Sequence, residues 1–363
     1  MKKGVGLNPN NHNHFSDHLI PICVLMDMPY LVTDENYCRE IQNLYPDVQP
    51  LLVEWQDVTP QYLVENFDVL YQSEYWHRLN FYSSFAALEK KYQKVMRNVH
   101  CPHGFSDKIF WFRHAVTEDI LLTYGDNMFD MFKELGIEHQ LNAYVRTGNY
   151  RYQYYLNNQS FFDKIVEDRI WGRFSKKQPT ILYAPTCNDE EQNTTFLEAD
   201  YIYENLPSNY NLIVKIHPAL EETDAPAIYR TIGKYEKKGN IIFIKDFPLI
   251  YPILARTDIY LGDKSSIGYD FLAFNRPMFF LNQYKQQISN NRNIFLYRCG
   301  VEVMPEDYVN LYKIIDKNLS IDANKFTQIR SEMYKYTFGE PVPSKELKKA
   351  IIQSYDSSRK FEV

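Results

Sequence analysis

The segment Asp258–Pro277 reads DIYLGDKSSIGYDFLAFNRP. A short apolar run, Ile259–Leu261, gives way to the polar turn Gly262–Ser266. A helical period carrying Ile267, Phe271 and Phe274 starts at once. Strand, tight polar turn and helix make half of a βαβ unit, and the turn falls at the strand's carboxyl end, where parallel α/β sheets bind ligands. With Ser265 or Ser266 at the N-cap, the spare N–H groups of the first turn and two hydroxyls form an anion site. Asp270 follows Ser266 by one turn, so it shares that face and can reach a ribose hydroxyl. The plainer alternative is that the serines only cap the helix and Asp263 only forms the turn.

The same alternation extends on both sides. Upstream, Thr180–Ala184 (TILYA), Leu212–Ile216 (LIVKI) and Ile241–Ile244 (IIFI) read as buried strands, and Met278–Leu281 (MFFL) does so downstream. Helical stretches at Phe196–Glu204, Ala225–Lys237, Leu249–Arg256 and Ser266–Phe274 separate them. In the first half, strands are expected at Tyr30–Thr33, Leu51–Trp55, Asp68–Tyr71, Val95–Val99, Ile120–Tyr124 and Ala143–Thr147. The helices there are Asp34–Leu44, Arg78–Tyr92, Asn127–Leu135 and a long one at Tyr150–Phe174. The composition break at SKKQP, Ser175–Pro179, is a linker. The expected organisation is residues 1–175 as one doubly wound domain, 176–335 as a second, and 336–363 as a helical tail packing back on the first. Two such domains in series leave a ligand-binding cleft between facing strand ends.

The chain has 363 residues, enough for two cores, and a formal net charge of −6, which disfavours a general nucleic-acid binder. Any anion site must therefore be local. Cys23, Cys38, Cys101, Cys187 and Cys299 are dispersed without a C-x-x-C pair, the pattern of reduced cytosolic thiols. The first residues lack the apolar core of a signal peptide, and Leu19–Val32 is broken by Pro21, Asp27 and Pro29. A cytoplasmic protein is expected.

Three further segments carry chemistry. Leu212–Pro218 (LIVKIHP) ends a strand with Lys215 and His217, two positions apart and hence on one strand face, as anion binders. In His100–Lys108 (HCPHGFSDK), His103 precedes Gly104, which permits close backbone approach, and a histidine there can act as general base. Ser106 and Asp107 would cap the next helix, Lys108 adds a cation, and His100 reads as a strand end. Tyr183–Asp189 (YAPTCND) offers Thr186 as a ligand, with loop capping as its alternative. The His12, His14, His18 string lacks the carboxylate or thiolate pattern of a metal site, so no metal or cofactor is expected.

Four motifs in this order resemble the CDP-glycerol glycerophosphotransferase family, the teichoic-acid primases and polymerases. They are His103-Gly104; Tyr183–Thr186 (YAPT); K-x-H-P at Lys215–Pro218; and D-x-S-S-x-x-x-D at Asp263, Ser265, Ser266 and Asp270, followed by Asn275–Pro277 (NRP). The resemblance covers Pro179–Leu281 well and the first half thinly. It implies a GT-B fold and transfer of glycerol phosphate from CDP-glycerol to an acceptor hydroxyl, with CMP leaving. His103 would then be the general base and His217 the second catalytic histidine. Gly104, Lys108, Thr186, Lys215, Asp263, Ser265, Ser266 and Asp270 would bind substrate. The implied partners are a nucleotide-linked donor and a glycan or polyol-phosphate acceptor whose lipid anchor brings the enzyme to the inner membrane face. Phe105, Gly262 and Lys264 depart from the family's usual Thr, Thr and Tyr. A nucleotide-sugar glycosyltransferase, a UDP-GlcNAc 2-epimerase-like enzyme or a non-catalytic relative on the same fold are the alternatives.

Overall fold

The computed structural model describes residues 2–74, 78–188, 194–196, 199–289 and 291–357. The chain divides into two compact units. Unit 1 is Met1–His103, Phe110–Tyr154 and Thr337–Val363; unit 2 is Gly104–Ile109 and Tyr155–Tyr336. Both are parallel sheets interleaved with helices, the doubly wound α/β class read from the alternation.

Unit 1 holds seven strands: β1 (Gly4–Leu7), β2 (Tyr30–Val32), β3 (Pro50–Leu52), β4 (Val69–Gln72), β5 (Arg97–His100), β6 (Ile120–Thr123) and β7 (Tyr144–Arg146), in the order β3-β2-β1-β4-β5-β6-β7. The apolar-run reading passes over β1, although it is central, pairing in parallel with both β2 and β4. Its sequence, GVGL, has low strand propensity because glycine has no side chain to pack. The glycines are required by what covers them. A Cβ on Gly6 would run into Cys23 Sγ, and one on Gly4 would lie 3.0 Å from Met28 Sδ.

Cys23 belongs to helix α1 (Asn13–Met26), which also escapes the sequence reading because Pro21 lies inside it. An interior proline costs about 3 kcal/mol or more. Leu19, Ile20, Ile22 and Cys23 are fully buried, and each fully buried aliphatic chain contributes roughly 1.5–3 kcal/mol, so burial outweighs the broken ladder bond.

The segment after Tyr336 completes unit 1. The Thr337 carbonyl accepts from Gly125 N at 2.6 Å, Phe338 meets Tyr124 edge-on at 5.3 Å, and Arg97 Nε donates to the Tyr355 carbonyl at 2.5 Å.

Unit 2 holds β8 (Thr180–Ala184), β9 (Asn211–Lys215), β10 (Ile241–Ile244), β11 (Ile259–Gly262), β12 (Met278–Leu281) and β13 (Val301–Val303), in the order β10-β9-β8-β11-β12-β13. The core strands are buried throughout, as their near-continuous apolar runs require. β13 is a three-residue edge strand, V-E-V, too short to stand out in sequence.

The expected single helix Tyr150–Phe174 is two helices, Tyr150–Asn157 and Gln159–Arg169, broken at Asn158, a residue type that competes with helical bonding. The packing of the residues from Tyr155 onward explains where the units divide. Composition marks Ser175–Pro179, whereas contacts divide the chain between Tyr154 and Tyr155. Tyr155 stacks on Tyr251 at 6.4 Å, and Arg256 lies 4.9 Å over Trp171 and pairs with Glu167. The expected helix Phe196–Glu204 lies partly outside the described residues; Asp200–Glu204 is helical.

Asn275–Pro277 is a structural anchor. Asn275 takes the left-handed conformation (φ 49°), which asparagine tolerates, where the helical stretch Ser266–Phe274 ends. Its Oδ1 accepts from Arg330 Nε at 2.8 Å, and Arg330 makes a two-pronged buried pair with Asp322 at 3.0 and 2.6 Å. Both lie on the helix Leu311–Phe338, two turns apart.

Candidate functional site

In a doubly wound sheet, ligands bind at the carboxyl ends of the strands, where the strand order reverses. In unit 2 the reversal falls between β8 and β11, with β9 on the other side of β8. Thr186 follows β8, Asp263–Ser266 follow β11, and Lys215 closes β9. Neighbouring strands lie about 4.8 Å apart, so three adjacent strand ends span roughly 10 Å.

Asp263 organises this edge. Its Oδ1 accepts from Thr186 N at 2.8 Å, and its Oδ2 accepts from Thr195 N at 3.0 Å and Thr195 Oγ1 at 2.9 Å. Thr195 also bonds the Tyr183 hydroxyl at 2.8 Å. Burial raises the Asp263 carboxyl to about 6, and the bonds from Thr186 and Thr195 and the nearby charge of Lys108 pull the other way. With both oxygens engaged by protein donors, Asp263 positions two loops. Thr195 carries no local signal, since it reaches Asp263 only through the fold.

Ser265 sits at the N-cap of Ser266–Phe271 by backbone conformation, but its side chain makes no cap bond. That separates it from a serine present only for capping. Asp270, one turn on, is buried and accepts from the Tyr251 hydroxyl at 2.8 Å.

The strand-face pairing of Lys215 and His217 is corrected. β9 ends at Lys215, and His217 is the N-cap of the helix Pro218–Tyr235, because Pro218, with its fixed φ and missing N–H, suits the first helical position. Lys215 Nζ donates to the Lys245 carbonyl at 3.2 Å. His217 Nδ1 accepts from Ala219 N at 3.2 Å. An accepting Nδ1 puts the proton of the neutral ring on Nε2, making that atom a donor.

The segment Gly104–Ile109 also belongs to unit 2. Gly104 has φ 113°, a conformation that side chains rarely adopt. Phe105 is buried edge-on against Tyr269 at 4.8 Å. Asp107 does not cap a helix through its carboxylate: Oδ1 accepts from the Tyr269 hydroxyl at 2.5 Å and Oδ2 from Leu296 N at 3.0 Å. Burial raises Asp107 to about 6; among the opposing influences are the charges of Arg292 and Lys264. Phe105 thus packs on Tyr269, and Lys264 lies near enough to Asp107 for its charge to act on that carboxyl. Gly262 has its own cause, since a Cβ there would meet the Tyr260 ring. Lys108 Nζ lies 3.6 Å from Cys187 Sγ.

In unit 1, His100 ends β5 as expected, with Nδ1 3.2 Å from the Glu74 carbonyl and burial lowering it to about 3. His103 is exposed, and its Nδ1 lies 2.9 Å from the Ser73 carbonyl. A carbonyl only accepts, so Nδ1 carries the proton and the basic lone pair of the neutral ring sits on Nε2. His103 and His217 thus have opposite tautomers.

A family model described as CDP-Glycerol:Poly(glycerophosphate) glycerophosphotransferase matches residues 119–339, more than half of the chain and beginning after His103. Among curated proteins, the teichoic acid poly(ribitol-phosphate) polymerase of Bacillus spizizenii is 27% identical over 134 residues, 34% of this chain and 20% of the relative. The teichoic acid glycerol-phosphate primase of Bacillus subtilis is 29% identical over 121 residues, 31% of this chain and 29% of the relative. The matched segments thus span less than a third of either relative. The structure of the wall teichoic acid polymerase TagF superposes with a TM-score of 0.67 at 15% identity, covering 98% of this chain and 88% of that one. This likeness identifies the fold as GT-B. No helix among the described residues is long and apolar enough to cross a membrane.

Proposed function

The chain belongs to the CDP-Glycerol:Poly(glycerophosphate) glycerophosphotransferase family, and from that premise we propose that it transfers a polyol-phosphate unit, glycerol phosphate first among them, from a CDP-linked donor to an acceptor hydroxyl. The acceptor oxygen attacks the phosphorus bearing the polyol. The bond from that phosphorus to the bridging oxygen breaks, and CMP leaves with the electron pair. The acceptor's proton passes to His103 Nε2.

The opposed tautomers of the two histidines carry this reading. A base needs an unprotonated nitrogen, which the bond to Ser73 leaves on Nε2 of His103. A ligand for phosphate needs a donor, which the bond from Ala219 leaves on Nε2 of His217. Lys215, Ser265, Ser266 and the Thr186 hydroxyl join His217 around the diphosphate, and Asp270 takes a ribose hydroxyl. Gly104 lets the backbone approach, Lys108 adds charge, and Asp263 holds the Thr186 loop. General bases contribute about 10²–10⁴-fold, and each positioned donor about 10²–10³-fold. A glycan or polyol-phosphate acceptor on a lipid anchor would bring the protein to the cytoplasmic membrane face.

Chromatographic detection of CMP tests this, with CDP-glycerol, CDP-ribitol and UDP-sugars offered in parallel. CMP release that depends on acceptor is expected from one CDP-linked donor. Epimerised or hydrolysed UDP-GlcNAc without CMP release, from folded protein, overturns it.

A further inference from the structure

Unit 1 has its own reversal of strand order, between β1 and β4. The loop leaving β1 is stapled by Asn8, whose Oδ1 accepts from His12 N at 3.1 Å and whose Nδ2 donates to the His12 carbonyl at 3.0 Å. α1 then begins, fourteen residues long, with His12 at its N-cap, no side-chain cap bond and no acidic residue in its first turn. Such an end favours negative charge.

The surrounding side chains are imidazoles, the Ser73 hydroxyl and the half-exposed Glu74 carboxylate, which lies 3.6 Å from His12 Nε2. The rings of His12 and His14 lie 5.6 Å apart, and those of His14 and His103 lie 6.3 Å apart. Phe15 packs between them, 5.3 Å from His103. Among the described residues, two buried side chains at this end have atoms without a partner, as does the half-buried Asn13, whose Oδ1 is an acceptor. Ser73, directly after β4, is 1% exposed with its Oγ unbonded, and His18 is 6% exposed with its Nδ1 unbonded. Helical side chains lean toward the N-terminus, so His18, one turn after His14, points along α1 at the same end. Buried hydroxyls and imidazoles are ordinarily satisfied, and two left open together mark a place for a ligand.

We propose that this switch point is the phosphate subsite of the acceptor, taking a phosphate of a polyol-phosphate chain near the hydroxyl that His103 deprotonates. The proposal rests on the reading of His103 given above and adds the residues of this chain that would take the acceptor's phosphate. His14 and the first turn of α1 contact the phosphate oxygens, Ser73 donates to them from beneath, and His18 supports His14.

The test is NMR of the full chain with labelled histidines, titrated separately with sn-glycerol 3-phosphate, inorganic phosphate and glycerol. Saturable shifts of His14 and His18 are expected with the first two probes and none with glycerol. His14→Gln, at a partly exposed position, should raise the acceptor KM about tenfold or more while CDP-glycerol affinity by calorimetry is unchanged. Ser73→Ala should weaken phosphate binding in the same direction. Absent shifts at His14 and His18 in a protein that still releases CMP would overturn the subsite alone. Shifts with phosphate in a protein that turns over no CDP-linked donor would uphold the subsite and count against the transfer reaction.

Discussion

The two sheets furnish their points of reversal with different chemistry. In unit 2 the strand ends carry hydroxyls and a lysine, with a histidine locked as a donor at the following helix cap, braced by a buried carboxylate that holds Thr186 and Thr195. In unit 1 the corresponding edge carries several imidazoles and the Glu74 carboxylate beside His12, with His103 locked the other way round. A donor set suits a group that arrives charged and leaves more charged. A basic lone pair suits a group that arrives protonated and must lose its proton. The same topology thus presents opposite ring tautomers because the backbone partner of each Nδ1 differs.

The sharpest way to break this contrast is His103→Ala. It should lower kcat about 10²–10⁴-fold and leave CDP-glycerol affinity by calorimetry intact. A parallel loss of donor affinity would assign His103 to the wrong side.

Next comes the double substitution Ser265→Ala with Ser266→Ala, expected to lower kcat/KM about 10²–10³-fold. Because Ser265 makes no side-chain cap bond, thermal unfolding should barely move; a loss near 1 kcal/mol would restore the capping interpretation.

Asp263→Asn should act chiefly on stability. An amide cannot accept through its nitrogen, so at least one of the Thr186 and Thr195 donors is left unpaired, at a cost of about 1–3 kcal/mol. Urea unfolding measures this, and an unchanged midpoint would make Asp263 a ligand rather than a brace.

The smallest effect is on pH dependence. Burial raises Asp263 and Asp107 from 3.8 to about 6 in the folded protein. Between those values the native state holds protons that the unfolded chain has released. Their contribution to stability is therefore present at acid pH and lost as pH rises through about 6. Asn at either position should flatten that part of the melting-temperature profile relative to wild type.

The sequence speaks unequally about the two units. Thr180–Ala184, Ile241–Ile244 and Met278–Leu281 are strands end to end, because strands buried on both faces must be apolar throughout. β1 and α1 are opaque for a related reason. Their glycines and proline look like breakers locally and make sense only once α1 lies on β1. At the site, the strand-end positions of Thr186, Asp263, Ser265 and Lys215 are legible from where apolar runs stop. The partners are not: Thr195 for Asp263, Tyr269 for Asp107 and Ser73 for His103 come from distant parts of the chain. The helical cap at His217 was signalled by Pro218, which marks a helix start as readily as a strand end.

The return of residues after Tyr336 to unit 1 bears on biosynthesis. Every strand of unit 1 leaves the ribosome before any strand of unit 2, yet Thr337, Phe338 and Tyr355, which bond or cover Gly125, Tyr124 and Arg97, emerge after unit 2 is complete. The later-made unit can therefore close first, while the earlier one waits with part of its surface uncovered. Fragments stopping short of these residues would carry that unfinished surface permanently.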